Sequence, residues 1–318
     1  LMSILLQKGV STMTAQKKEE RIINSKQISS ANSKKRDKIG VIFYGAVNTA
    51  FFKAVRRGLE LEASAVDAKP ELMIEYADMN PIEQVKVIDQ MVKSGIKGLI
   101  ISPLDDPMVT DTIKKISEDG LPVVTVHTDI PDSGRLAYVG TDPYKAGQVA
   151  AAQMSRVCED GTEIGIVTGS RQIRVHEERI RGFRDYIKAS DKHLTISSIG
   201  ENRDEDYKSY ELVQKMMSDN PGISAFFFAT TGGVYGGCKG IFTMTTRLKF
   251  KVITLGVFDA TREFMKKGLI DCAVYQSPMD QGIDAMHILT EKLYNGRDPE
   301  KEINYEELSI KTHECLYL

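Results

Sequence analysis

The sequence predicts an α/β fold of two doubly wound, Rossmann-like lobes with parallel sheets, joined by a hinge that the chain crosses several times. Three observations predict it. From residue 39 onward short apolar runs alternate with longer amphipathic runs, few polar residues interrupt the apolar runs, and the whole alternation occurs twice. Such strands, separated by helices, are typical of parallel sheets covered by helices on both faces. Two sheets of this kind fit the pattern better than one sheet of ten parallel strands.

Ten apolar runs predict the strands. They occupy residues 39–45, 71–77, 98–103, 122–128, 136–140, 163–169, 194–200, 224–230, 251–259 and 271–276. The stretches between them, such as FFKAVRRGLELEASA and PIEQVKVIDQMVKSG, carry apolar residues at spacings of three and four and end at a Gly or a turn, so they predict helices. The helix YKAGQVAAAQMSRV separates the first series of strands and helices from the second.

The repeat predicts a basic N-terminal arm followed by two lobes. The arm comprises residues 1–38. We expect the first lobe to contain residues 39–141 and 277–300, and the second lobe residues 142–276 and 301–318. The chain would then pass between the lobes more than once, which is what a hinge of several crossovers requires.

The composition is that of a globular protein with a sizeable core, since 42% of the residues are hydrophobic and 27% are charged. The four cysteines lie far apart, without a CxxC pair or a His at metal-ligand spacing, so we expect structural thiols and neither a zinc site nor a redox pair. No apolar run reaches the roughly 18 residues of a membrane span, and LMSILL is too short for the core of a secretory leader.

The arm differs in charge from the rest of the chain. It carries nine Lys or Arg and three Asp or Glu, a net +6, which leaves −8 for the remainder because the whole chain is −2. A basic lead on an acidic body is typical of an arm that touches nucleic acid or anionic lipid. A solvated, disordered leader explains the composition equally well.

Polar groups follow the predicted strands at their carboxyl ends. The segment GSRQIRVHEERIRGF, at 169–183, comes directly after a strand, and AVNTAFF, DIP, TGGVYGG and ATRE follow four others. Ligands of doubly wound sheets bind at that edge, so two facing lobes would share one cleft. Phe51 and Phe52, with polar side chains around them, suit a sugar-like ligand, whose C–H faces stack on rings while its hydroxyls need donors and acceptors.

From Ile39 to the end, the chain resembles the type I periplasmic-binding-protein superfamily. That group contains ribose- and galactose-type solute-binding proteins and the effector domains of lac-repressor-family regulators. The segments that carry the resemblance, in order, are IGVIFYGAVNTAFFKAVRRGLE, GLIISPLDDP, PVVTVHTDIP, YVGTDPYKAGQVAA, the pattern R-x-x-G-F at 179–183, AFFFATTGGVYGG, GVFDAT and VYQSPMDQG. Their combined order is specific for the fold, although each alone is weak.

The resemblance implies a ligand-binding set that takes residues from both lobes. It consists of Thr49, Phe51, Phe52, His127, Thr128, Asp129, His176, Arg179, Thr231, Asp259 and Gln276. Arg179 is the principal candidate, because a planar guanidinium can bind two ligand oxygens at once. Thr49 and Ala50 stand where the family usually has Asn and Pro, and Thr231 and Gly232 stand where it usually has Asn and Asp. These departures leave the identity of the ligand open.

Motifs that suggest catalysis or a cofactor are incomplete. HEERI lacks the second His of a zinc-protease helix, GGVYGG lacks the spacing of a phosphate-binding loop, and Ser170 lacks the frame of a nucleophile elbow. Asp105 and Asp106 precede Pro107, which favours a helix N-terminus over an acid–base pair. His127 also fits a satisfied core histidine. The sequence therefore predicts no enzyme, no metal and no cofactor.

The stretch QKGVSTMT resembles the turn and the start of the recognition helix in lac-repressor-type helix-turn-helix domains. Our primary interpretation is therefore the sugar-sensing domain of a cytoplasmic regulator of that family. The alternative is an extracytoplasmic solute-binding protein of a sugar ABC transporter, periplasmic or anchored to the cell surface. The expected partner is a mono- or disaccharide, with DNA and a second copy of the chain left open and no membrane span.

Overall fold

Two α/β lobes, each built on a six-stranded sheet, form the structure. This computed structural model describes residues 36–45, 49–171, 173–244 and 250–317. The nine α-helices of that part of the chain are α1 Ala50–Ala65, α2 Pro81–Lys93, α3 Pro107–Glu118, α4 Pro143–Val157, α5 Arg174–Ala189, α6 Asp206–Asp219, α7 Val234–Met244, α8 Asp259–Lys266 and α9 Pro278–Asn295. The motif QKGVSTMT and nearly all of the predicted arm lie outside the described residues.

Each of the ten predicted apolar runs overlaps one strand, and two short strands follow α9. The strands are β1 Lys38–Tyr44, β2 Glu71–Ala77, β3 Gly98–Ile101, β4 Val123–Val126, β5 Ala137–Gly140, β6 Glu163–Thr168, β7 Thr195–Glu201, β8 Ile223–Phe228, β9 Lys251–Leu255, β10 Ile270–Tyr275, β11 Ile303–Tyr305 and β12 Ser309–Lys311. The central strands are buried along their whole length, as strands covered on both faces must be.

The order of strands is the same in the two lobes. The first sheet runs β11-β5-β4-β3-β1-β2 and the second runs β12-β10-β9-β8-β6-β7. All pairs are parallel except β10 and β12, which are antiparallel. The predicted fold class, two doubly wound lobes joined by several crossovers, is confirmed. The antiparallel β12 is an addition at the edge of the second sheet.

The chain passes between the lobes three times. It crosses after β5, after β10 and again between β11 and β12. The last crossing follows Tyr305, because β11 still pairs with β5 in the first sheet, whereas we expected residues from 301 onward to lie in the second lobe. The crossovers are tied to one another, since the Gln276 amide reaches the Thr141 hydroxyl at 3.5 Å and Glu306 N–H donates to the Gly140 carbonyl at 2.7 Å.

Glycines bring one pair of helices into close contact in each lobe. A Cβ atom at Gly58 of α1 would lie 2.0 Å from the Met279 carbonyl oxygen of α9. In the second lobe, a Cβ atom at Gly147 of α4 would lie 2.0 Å from the Arg179 carbonyl oxygen of α5. Only glycine allows two helix backbones to approach this closely. The contact at Gly147 fixes the height of Arg179 above the second sheet.

Side-chain caps set where three helices begin. The carboxylate of Asp106 accepts a hydrogen bond from Met108 N–H at 2.8 Å, which confirms the capping role predicted from Pro107. Asn80 and Asp142 cap α2 and α4 in the same way. Over the described residues, no helix is long and apolar enough to span a membrane.

Candidate ligand-binding site between the lobes

The two lobes meet where the carboxyl ends of their strands face each other. Ile173 and Val175, at the start of α5 in the second lobe, belong to the same buried apolar cluster as Phe51 and Phe52 of the first lobe. Phe258, which precedes α8, packs against this cluster as well. The structure is therefore in a closed arrangement, with the polar groups of both strand edges buried between the lobes.

Aromatic rings form the first-lobe side of the site. The Phe51 ring lies 4.3 Å from the His127 ring between centroids, and the Phe52 ring lies 5.7 Å from it, edge to face. Tyr44, at the end of β1, packs edge to face on Phe52 at 5.3 Å. All four side chains are less than a tenth exposed. They present a firm apolar wall around one imidazole.

His127 is held in a backbone conformation that few residues adopt. Its φ of 70° is left-handed, which is strained for a residue other than glycine. Its N–H donates to the Val139 carbonyl at 3.0 Å, and its own carbonyl accepts the Tyr138 hydroxyl at 3.0 Å. Strain of this kind persists only where surrounding contacts enforce it, and Tyr138 is one of those contacts.

Arg179 is the central side chain of the second-lobe side. It is 2% exposed, Nη1 donates to the Ala229 carbonyl at 3.2 Å, and Nη2 donates to Oε1 of Gln276 at 3.4 Å. Its Nε has no partner, and none of the described carboxylates forms an ion pair with it. Burial lowers the pKa of the guanidinium to about 10, and the nearby Tyr44, Tyr138 and Asp204 only partly oppose that effect. A buried cation with an unused donor is the arrangement expected of a ligand contact.

Two histidines flank Arg179 and are neutral at pH 7. Burial, followed by the charges of Arg179 and His176, lowers the pKa of His127 well below its usual value. Burial also lowers the pKa of His176 to about 4, although Asp204 acts in the opposite direction. Nδ1 of His176 lies 3.1 Å from both the N–H and the carbonyl of Ser170, which fixes the ring against the loop after β6.

Asp204 completes the second-lobe side, and the sequence analysis missed it. It lies in the loop after β7 with a φ of 60°, and its carboxylate accepts the Thr230 hydroxyl. A Cβ atom at Gly169 would lie 2.6 Å from an Asp204 carboxylate oxygen and 2.6 Å from Cε1 of His176. Asp204 and His176 are therefore neighbours, and glycine at 169 leaves room for both.

The structure brings five of the predicted residues together at the junction of the lobes: Phe51, Phe52, His127, Arg179 and Gln276. His176 lies close enough to this group to lower the pKa of His127. Thr49 has a buried hydroxyl without a hydrogen-bond partner, and Thr231 is half-buried against Gly256.

Three other predicted residues have different surroundings. Asp129 forms a bidentate ion pair with the buried Arg135 and also accepts the Thr125 hydroxyl at 2.8 Å. Thr128 donates to the Pro103 carbonyl at 2.7 Å, and Asp259 is exposed at the first position of α8. The carboxylate of Asp129 is thus already satisfied by its own lobe, so we do not count it among the groups that face the junction.

Three residues of the junction were missed: Tyr44, Tyr138 and Asp204. Tyr44 and Asp204 follow from the rule that polar groups at the carboxyl end of a strand face the cleft, because Tyr44 is the last residue of β1 and NRD follows β7. Tyr138 lies inside β5 and has no such signal. Its role depends on its hydroxyl reaching His127 and the Thr141 carbonyl, at 3.0 and 3.2 Å.

Comparison with known protein families agrees with this architecture. Residues 39–297 match the profile described as a periplasmic binding protein domain. The chain belongs to this family. The match includes the residues on both sides of the junction described above, and it begins at the residue where the predicted resemblance begins.

Two relatives with similar sequences are named as import binding proteins. The ribose import binding protein of Salmonella typhimurium is 21% identical over 262 residues, which covers 81% of this chain and 86% of that protein. The fructose import binding protein of Bifidobacterium longum is 24% identical over 232 residues, covering 70% of this chain and 69% of that protein. Both are named as binding proteins and not as enzymes, in agreement with the prediction from the incomplete motifs.

Solved structures of sugar-binding proteins share the fold. A glucose-galactose binding protein from Geobacillus stearothermophilus has a TM-score of 0.81 at 24% identity, covering 89% of this chain and all of that one. A solute-binding protein from Burkholderia graminis, in complex with D-arabinose, has a TM-score of 0.81 at 21% identity, covering 90% of this chain and 98% of that one. At these identities the likeness shows the fold.

These comparisons contradict our primary interpretation. The relatives are import and periplasmic binding proteins, so the regulator of the lac-repressor family and its cytoplasmic location are both wrong, and the alternative of an extracytoplasmic solute-binding protein is favoured. DNA and a second copy of the chain gain no support as partners. The wrong interpretation rested on the basic arm and on QKGVSTMT, in a part of the chain that lies outside the family match.

Proposed function

We propose that this protein is an extracytoplasmic sugar-binding component of an import system, which closes its two lobes around one small polyol-like ligand. The observation that carries the proposal is Arg179, a guanidinium buried at the junction with an unused Nε donor and without an ion pair among the described residues. The family and the import function of its named relatives support the class of protein.

The proposed contacts come from both lobes. Phe51 and Phe52 supply the apolar wall on which a sugar ring would stack, and His127 supplies a polar atom at its centre. Arg179 supplies donors from the opposite side, and Gln276 lies at the crossover between the lobes. Thr49, Thr231 and Asp259 remain proposed contacts at the rim of this set.

The mechanism follows from the position of these groups. In an open form, the ligand would contact one lobe only. Closing the hinge makes both sets of contacts at once, so the ligand binds the closed form more tightly and shifts the population toward it. In the closed form, the desolvated guanidinium gains ligand oxygens in place of the water that it loses. The closed form would then be the one that an import partner distinguishes from the empty protein.

The test is a thermal-shift and calorimetric screen against monosaccharides, disaccharides and their acid derivatives. A ligand at about a hundred times its Kd should stabilise the folded protein by about 3 kcal/mol and raise Tm by several degrees. Arg179→Met should abolish that shift. Arg181→Met, on the exposed face of the same helix, is the matched control and should leave it unchanged. A screen in which no compound raises Tm, or in which Arg179→Met binds as tightly as wild type, contradicts the proposal.

A further inference from the structure

The positive charge of Arg179 has no negatively charged partner among the described residues at the junction of the lobes. Arg179 has only a carbonyl and an amide oxygen as partners, at 3.2 and 3.4 Å. The two carboxylates named above, Asp204 and Asp129, are partly buried near the strand edges, and both have partners other than Arg179. Asp204 accepts the Thr230 hydroxyl, and Asp129 forms its ion pair with Arg135. The guanidinium is therefore left without a carboxylate partner.

The positive charge of Arg179 affects the pKa values of the two neighbouring histidines. Its charge lowers the pKa of His127 and of His176, in addition to the larger effect of burial. Asp204 acts on His176 in the opposite sense but does not offset burial and Arg179 together. Both rings are neutral, and Arg179 is the one arginine or lysine of the described residues whose charge acts on each of them.

We propose that the ligand is a carboxylated sugar, an aldonate or a hexuronate, whose carboxylate binds Arg179. This inference rests on the proposed function and deepens it. A carboxylate accepts two charge-assisted hydrogen bonds from a guanidinium, including one from the unused Nε, and supplies the missing negative charge. A phosphate ester, with a charge near −2, would call for a second cation, which the neutral His127 and His176 do not provide.

The experiment measures affinity by calorimetry for matched pairs that differ in one group. D-Galacturonate and D-galactose differ only by a carboxylate in place of a hydroxymethyl group, and D-gluconate and D-glucitol form the equivalent open-chain pair. D-Glucose 6-phosphate tests the phosphate ester. We expect the acid of at least one pair to bind at least tenfold more tightly than its neutral partner, and the ring and chain pairs distinguish a hexuronate from an aldonate.

Two variants test the assignment independently. Arg179→Gln keeps hydrogen-bond donors but removes the charge, so the preference for the acid should fall at least tenfold. Asp204→Asn removes the neighbouring negative charge while keeping an acceptor for the Thr230 hydroxyl. The acid should then bind several-fold more tightly, whereas a site that uses Asp204 to accept sugar hydroxyls would bind its ligand more weakly.

The outcomes separate this inference from the function on which it rests. If a neutral sugar binds more tightly than its acid and the binding needs Arg179, the sugar acid is refuted and the proposed function stands. If D-glucose 6-phosphate binds most tightly, a carboxylate is again refuted. If no neutral sugar, acid or phosphate binds, both proposals fall.

Discussion

Replacing Arg179 by Met should make the ligand-free protein more stable. Burial lowers the pKa of Arg179 well below its usual value, to about 10, which corresponds to about 3 kcal/mol against the charged form in the folded state. This penalty is fully present at pH 7, because pH 7 lies below the pKa of Arg179 in both the folded and the unfolded state, so the charged form is populated in both. Met fills a similar volume without a charge but loses two long hydrogen bonds, at 3.2 and 3.4 Å. The net expectation is a gain of about 1–2 kcal/mol.

A second buried arginine provides the control. The Arg135 side chain is fully buried, but it pairs with Asp129 and, at 2.8 Å, with Glu302. Burial lowers its pKa, and these two carboxylates together raise it above the usual value. Arg135→Met should therefore destabilise the protein by about 3 kcal/mol, because it leaves Asp129 without its partner. Replacing Arg by Met should therefore raise the free energy of unfolding at position 179 and lower it at position 135.

The stability of both variants is measured at pH 7 by urea unfolding monitored by circular dichroism, and their Tm is measured in separate thermal scans. Arg179→Met should raise Tm by about 2–8 °C, since 1 kcal/mol shifts Tm by about 2–4 °C in a protein of this size. A ligand identified in the screen should stabilise wild type and leave this variant unaffected. Destabilisation of ligand-free Arg179→Met by more than about 1 kcal/mol would refute the reasoning, because the guanidinium would then be satisfied within the protein.

Three further predictions concern the surroundings of the site. Gly147→Ala should destabilise the protein by about 2 kcal/mol or more and weaken ligand binding, because its Cβ atom would lie 2.0 Å from the Arg179 carbonyl oxygen; urea unfolding and calorimetry measure the two effects. Tyr138→Phe should cost about 1 kcal/mol of stability and lower ligand affinity, since it removes the hydroxyl bound to the His127 carbonyl. Stability should also fall as the pH drops from 6.5 toward 4, because His176 binds a proton in the unfolded chain but not in the folded protein over that range. The free energy of unfolding should change by about 1.4 kcal/mol per pH unit for each such proton. In urea titrations, His176→Gln should reduce this slope.

Each of these has a comparison that would contradict it. Gly282→Ala makes the equivalent clash with the Val55 carbonyl in the other lobe and is the control. If both glycine variants lose the same stability and both keep the wild-type ligand affinity, Gly147 has no role in positioning Arg179. Tyr207→Phe, on an exposed ring, should leave stability within about half a kcal/mol. A pH profile that His176→Gln does not change would show that other groups cause the acid sensitivity.

Local sequence determined the elements and the fold class. Each predicted apolar run became a strand because strands covered by helices on both faces must be apolar throughout, and this requirement is visible without knowledge of the neighbours. The repetition of the pattern gave two lobes for the same reason. β11 and β12 escaped prediction, because three-residue edge strands with partly exposed side chains carry no apolar run.

Only the tertiary structure decided which charges are matched. Arg135 and Arg179 are the same residue type and both are buried. Arg135 meets Asp129, six residues away, and Glu302, 167 residues away, whereas Arg179 meets no carboxylate among the described residues. Partners this distant in the chain are brought together by sheet order and by the third crossing between the lobes. The sequence therefore determines where polar groups leave each sheet, and the packing of one lobe against the other determines which of them remains for a ligand.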